Sequence, residues 1–242
     1  MTIRIKQLFP IFSMATLLAS CSTSMMINDN LKTGTTVMEV KGRSGGMPGQ
    51  KLVFGEYASS KVKRKIGATR SESYAVSSQT TRDTMQFDVF SPTGDSSRVF
   101  CLSKTSQLSL PIAGDKFQVS VGDQDVCFGT IVLDTASPGW NFTIDNPNAM
   151  AADFISTGAI SNGQTTIQFK AIQRNAKGKL IKDRVLGFEF WKGEEVIGAV
   201  ELIGSGKILV KNSLPQDIKF LIATAAATML LRYDMSKAKV MQ

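Results

Sequence analysis

From residue 35 onward, hydrophobic and polar side chains alternate in short runs separated by turn residues. In TMQFDVFS, Met85, Phe87 and Val89 share one face while Gln86 and Asp88 take the other. In TTIQFKAIQ, Ile167, Phe169 and Ala171 oppose Gln168 and Lys170 in the same way. A period of two marks strands with one buried face. Comparable runs are VMEV, KLVFGEY, ESYAVSS, RVFCLS, FQVSV, CFGTIVL, WNFTI, FISTGAI, VLGFEFW, EVIGAVEL and KILVK. Turn-forming segments such as SPTGD, PIAGD, VGDQD, SNGQ, NAKGK, WKGEE and GSGK stand between them. The pattern predicts about 13 strands and no helix among them.

One segment departs from this alternation. Phe220 to Leu231 reads FLIATAAATMLL and carries no charge on any side. Ser213, with Gln216 three residues on and Pro215 between, has the pattern of a capping box. Arg232 stands where a cation complements a helix dipole. A helix is therefore predicted over 213–232. Twelve apolar residues span about 18 Å as a helix, short of a bilayer core of about 30 Å. A helix that is apolar all round but too short to span belongs inside a protein core. Only strands are present to enclose it. An eight-stranded barrel is already filled by its own side chains, whereas one of eleven or more strands can hold a helix about 10 Å across. Burying the large helix side chains contributes on the order of 10–20 kcal/mol before entropy. The predicted fold is all-β with one C-terminal helix: a closed antiparallel barrel of eleven or more strands around a central hydrophobic helix. A helix packed by one face on a β-sandwich is the alternative.

The stretch GFEFWKGEEVIGAVELIGSGKILVKNSLPQDIKFLIATAAATMLL resembles the C-terminal end of the tubby-like superfamily, which includes the tubby C-terminal domain, phospholipid scramblases and LURP-one-related proteins. The corresponding parts are strands at Phe188 to Trp191, Val196 to Val200 and Ile208 to Lys211, then Asp217 opening an apolar helix. The resemblance implies a 12-stranded barrel around a central hydrophobic helix. It carries no binding residue over to this chain. EVKGRSGGMPGQKLVFGEY, nearer the start, is similar to segments of uncharacterised bacterial lipoproteins.

The N-terminus speaks to location. Arg4 and Lys6 precede an apolar run from Leu8 to Ala19, the arrangement of a secretory signal peptide over residues 1–20. Leu18-Ala19-Ser20-Cys21 resembles the lipobox of bacterial lipoproteins, whose cysteine is acylated and becomes the new N-terminus. Residues 21–34 show no period and read as a lipid-anchored tether, leaving 35–242 as a single domain. Ser22, rather than Asp, after Cys21 favours the outer membrane by the enterobacterial sorting rule. Cys101 and Cys127 remain, and in an oxidising envelope a left-over pair reads as a disulfide. Its loop of about 27 residues corresponds to roughly 3–4 kcal/mol.

Without Arg4 and Lys6, 26 of the 28 basic residues remain against 20 acidic ones, a net of +6. That excess permits attraction to anionic surfaces without pointing to nucleic acid. The chain has no histidine, which removes the usual Ser-His-Asp and Cys-His catalysis and the commonest zinc ligand. GSGK at Gly204 to Lys207 lacks the rest of a phosphate loop and reads as a hairpin turn. GDQD at 122–125 lacks the other ligands of a calcium loop and also reads as a turn, as does the segment holding Glu194 and Glu195. One cationic stretch stands out, SSKVKRKIGATR, with Lys61, Lys63, Arg64, Lys65 and Arg70 and no acid. It suits phosphate or other anionic groups; as an edge strand, its lysines would instead block edge-to-edge pairing. The sequence thus reads as an envelope lipoprotein that is not an enzyme, needs no cofactor or metal, and binds anionic lipid or phosphate-bearing polysaccharide. A structural subunit of an envelope protein complex is the alternative, and a carboxylate-based hydrolase a more distant one.

Overall fold

A computed structural model describes residues 24–44, 49–73, 76–112, 117–133, 139–146, 157–182 and 184–232, with backbone alone at 68–81, 104–125, 145–146 and 157. The described strands are β1 (Thr35–Lys41), β2 (Val53–Phe54), β3 (Tyr57–Ser59), β4 (Lys63–Ser73), β5 (Val76–Phe90), β6 (Ser96–Ile112), β7 (Phe117–Val132), β8 (Trp140–Asn146), β9 (Thr157–Ser161), β10 (Thr166–Ile172), β11 (Gly187–Lys192), β12 (Glu195–Glu201) and β13 (Lys207–Lys211). Each pairs antiparallel with its neighbours, β13 returns to β1, and β3 pairs with β5 at Ala58↔Phe90 and Ser59↔Val89. Twelve strands thereby close a barrel. β4 stands outside the ring, paired with the earlier part of β5 from Lys63↔Gln86 to Ser73↔Val76.

The strand count matches the alternation, but some runs divide differently. KLVFGEY contains a tight hairpin, because Gly55 at φ 55° turns β2 into β3. GDQD, expected as a turn, lies within β7, where Thr105↔Asp125 and Ser106↔Gln124 pair it to β6. A long ladder overrides the turn propensity of its residues. GSGK does form the β12–β13 turn, with Gly204 and Gly206 at positive φ.

Helix α1 (Gln216–Leu231) fills the barrel, and every residue from Phe220 to Leu231 is buried. Among the described residues no helix is long and apolar enough to cross a membrane. Gly198 on β12 allows the close approach: a Cβ there would lie 3.2 Å from Ile222 of the helix. The two buried threonines of α1 are satisfied, since Thr228 Oγ1 donates to the Thr224 carbonyl at 2.9 Å and Thr224 Oγ1 meets Ser97 Oγ of β6 at 2.9 Å.

The helix ends differ from the expectation. Pro215 occupies the N-cap and no side chain caps the first turn, so Ser213 and Gln216 form no capping box. Gln216 Nε2 instead donates to the Tyr57 hydroxyl at 3.3 Å, and Tyr57 stacks on Phe220. At the other end Arg232 is the C-cap through its backbone N–H. Two guanidinium groups from distant parts of the chain reach the same end. Arg43 Nε donates to the Leu230 carbonyl at 2.9 Å, and Arg64 Nη2 to that of Leu231. Arg64 lies 3.5 Å from Asp83, with side chains 1% and 2% exposed.

The segment read as a tether is packed from Ser24 onward. Met25 and Leu31 join Leu186, Val196, Ala199 and Leu209 in a second apolar cluster on the outside of β11 to β13. EVIGAVEL, expected as a strand with one buried face, is instead buried on both from Val196 to Val200. Two carboxylates lie under the segment. Glu201 accepts from the Met25 N–H at 3.3 Å, and Glu189 from the Trp191 indole at 3.1 Å. Burial raises both pKa values, against the opposing pull of those hydrogen bonds and of Lys207 or Lys170.

Two predictions arise here. Arg64→Met takes from the buried Asp83 carboxylate its arginine and from the helix end one donor, and should cost about 3–5 kcal/mol, read by urea denaturation. Adding Asp83→Leu should recover much of that loss, and a double variant as unstable as the single would remove the ion-pair explanation. The second concerns pH. Folding favours the protonated form of Glu189 and Glu201, so their contribution is greatest below the ordinary glutamate pKa and falls as pH rises through their raised folded values. Glu201→Gln should therefore flatten the fall in stability as pH rises from the ordinary glutamate range. An unchanged pH profile in denaturation midpoints would exclude Glu201 as its source.

Candidate functional site

Strand alternation sorts the cationic stretch. In β4, Lys63 and Lys65 point outward and are exposed, while Arg64 between them enters the barrel. The Arg64 side chain is thus turned to the helix end, although the residue lines the same groove as Lys63 and Lys65. Lys61 is exposed just before β4. Arg70 lies in β4, its side chain outside the described residues, and Cys21 likewise falls outside them.

The outward positions continue across the wall in two rows. One runs Lys63↔Gln86↔Phe100↔Thr130, the other Lys65↔Thr84↔Leu102↔Phe128. Together they line an open groove of about 520 Å³. Phe100 is 46% and Phe128 47% exposed, and with Leu102 between them they put contiguous apolar surface on the outside of the wall. The lining contains no carboxylate, and among the described residues neither lysine has an acidic partner. The charge of Arg64 beneath the groove is matched by Asp83. The result is an apolar strip with two free ammonium groups at one end.

Local structure holds the strip in place. Cys101 of β6 and Cys127 of β7 are bonded, with Cα atoms 6.6 Å apart, and face the interior next to Phe100, Leu102 and Phe128. The disulfide clamps the two strands that carry the apolar side chains. Gly129 is required between them, because a Cβ there would collide with the Phe100 carbonyl oxygen and the Phe142 ring. A smaller cavity of about 250 Å³ opens where α1 enters the barrel, lined by Tyr57, Asn212, Gln216 and Lys219. Burial raises the Tyr57 pKa, so its hydroxyl stays protonated there.

Phe100, Leu102 and Phe128 escape a reading for catalytic motifs. The signal was available in RVFCLS, where apolar residues occupy both parities of one strand: Val99 and Cys101 turn inward, Phe100 and Leu102 outward. Among the described residues no group of His, Cys, Asp or Glu is arranged to hold a metal ion. Comparison of the chain with protein-family models, curated proteins and solved structures gave no match.

Replacing Cys101 and Cys127 by Ser should lower stability by about 3 kcal/mol, as expected for opening a loop of this length. The loss is read by urea denaturation against the reduced wild-type protein. Reduced wild type and variant should coincide, and a wild type insensitive to reductant would contradict the structural role of the bond.

Proposed function

We propose that this protein is a lipid-anchored envelope lipoprotein whose barrel binds amphiphilic anions without chemical turnover. The ligand carries a phosphate-like group and an apolar part, as an anionic lipid or a lipid-linked polysaccharide does. The observation that carries this reading is the pairing of Lys63 and Lys65, free of acidic partners, with the exposed strip of Phe100, Leu102 and Phe128. The lysines supply attraction and a point of orientation, and the strip supplies desolvation. A shape-fixed, mostly apolar site with a few convergent polar groups is the usual form of a small-ligand pocket. The anchor is read from the lipobox at Cys21 and the signal peptide before it.

A second reading is favoured by one observation. β4 has a free outer edge, since β5 is its only partner strand among the described residues. Such an edge can accept a strand from another protein, as expected of an assembly subunit.

Binding of lysophosphatidylglycerol, measured by calorimetry below its micellar concentration, tests the first reading. Lys63→Gln with Lys65→Gln should weaken binding tenfold or more and flatten its salt dependence, since exposed charges are screened within about 8 Å at physiological ionic strength. Phe100→Ser with Phe128→Ser should weaken it similarly while leaving glycerol phosphate binding unchanged. The melting temperature should hold in the lysine variant, because those charges are exposed. Equal affinity in wild type and lysine variant would turn attention to the β4 edge and its protein partners.

A further inference from the structure

A second cationic surface lies where the chain emerges from beneath the anchor. The connection between β10 and β11 holds Arg174, Lys177, Lys179, Lys182 and Arg184, all exposed, against the single acid Asp183 in the sequence. Its tip is rigid. Asn175 Oδ1 accepts the N–H groups of Lys177 and Lys179 at 3.0 Å each, Gly178 N–H donates to the Asn175 carbonyl at 2.7 Å, and Arg174 Nη1 donates to the Gly178 carbonyl at 2.8 Å. The N-terminal segment is bonded directly to this turn. Met26 N–H donates to the Arg174 carbonyl at 2.9 Å, and Ala176 N–H to that of Ser24 at 2.9 Å. Two apolar side chains are exposed beside the cations, Met26 and Leu180, each 37%.

We infer that this turn is the surface by which the barrel rests on the anionic bilayer that holds its anchor. The inference depends on Cys21 being acylated, as the proposed function has it. Three residues of fully extended chain reach about 10 Å. An acyl group on Cys21 therefore brings the bilayer surface to within about that distance of Ser24, and Ser24 is hydrogen-bonded to the turn. Cations held at that range lie within about a Debye length of anionic headgroups. Leu180 and Met26 suit the boundary between headgroup and acyl chain. The packed segment from Met25 to Leu31 removes the play that a free tether would give, so the anchor presents one chosen side of the barrel.

The consequence reaches the groove. β12, under the N-terminal segment, and β6, in the middle of the groove wall, are six strands apart in a ring of twelve. The groove is then turned away from the anchoring leaflet, and its ligand arrives from solution or from an opposing surface.

The test uses the full acylated protein in vesicles of phosphatidylcholine and phosphatidylglycerol containing a nitroxide-headgroup lipid. A fluorophore is placed on Ala176→Cys or, on the groove side, on Thr130→Cys; the native thiols are bonded or acylated and do not compete. Strong quenching at position 176 and little at 130 is expected. Lys177→Gln, Lys179→Gln and Lys182→Gln combined should reduce the quenching at 176 severalfold, and so should high salt. Quenching at 176 no greater than at 130, or unaffected by charge removal, overturns the inference while leaving groove binding intact. Mass spectrometry of the N-terminal peptide separates the two failures: an unacylated chain overturns the inference together with the lipoprotein reading.

Discussion

A helix enclosed by a closed sheet has to end where water cannot reach it. Its last carbonyls need donors, and here two arginines from distant parts of the chain supply them, Arg43 to Leu230 and Arg64 to Leu231. A guanidinium so deeply buried needs a counter-charge, which Asp83 provides from β5. Much of the wall is constrained by this arrangement. β4 has to run beside β5 in the register that sets Arg64 opposite Met85 and brings it next to Asp83. A strand that turns Arg64 inward then turns Lys63 and Lys65 outward, because successive side chains alternate. The lysine pair at the groove and the cap on the central helix are two faces of one strand.

The wall is not uniform around the helix. From β11 to β13 it is covered by the N-terminal segment, and its strands are apolar on both faces, with Gly187 small enough to let Met25 press against the sheet. From β5 to β7 the described side chains leave Phe90, Phe100 and Phe128 about half exposed on the outside, with Leu102 beside the last two. Covered apolar residues need no further partner. Exposed ones in a contiguous strip with unpaired cations beside them do.

Much of the architecture was legible because two periodicities differ so sharply. Alternating runs announced the strands, and the uncharged stretch of α1 could be placed only inside them. What escaped was what pairing decides at long range. GDQD carries turn chemistry, yet the ladder to β6 holds it extended. SLPQ carries a capping pattern, but Pro215 takes the cap and Gln216 turns to Tyr57. Arg64 looked like one of five surface cations, although the alternation that identified the strands also separates it from Lys63 and Lys65. The N-terminal segment has no period of its own because its apolar residues fit a surface built by β11 to β13.

Rigidity decides what kind of site the groove can be. Its side chains stand on paired strands, tied across by the Cys101–Cys127 bond and backed by a packed helix. Such a surface loses little conformational freedom when a ligand settles on it, so modest contacts suffice for binding. The groove lining has no carboxylate, and the chain has no histidine. Acid–base catalysis requires a group whose pKa is tuned toward working pH within reach of the substrate. The carboxylates with raised pKa, Glu189 and Glu201, are sealed under the N-terminal segment, about half a turn of the barrel from β6. The groove with its exposed lysines and apolar strip and the carboxylates of raised pKa thus lie on different sides of the barrel.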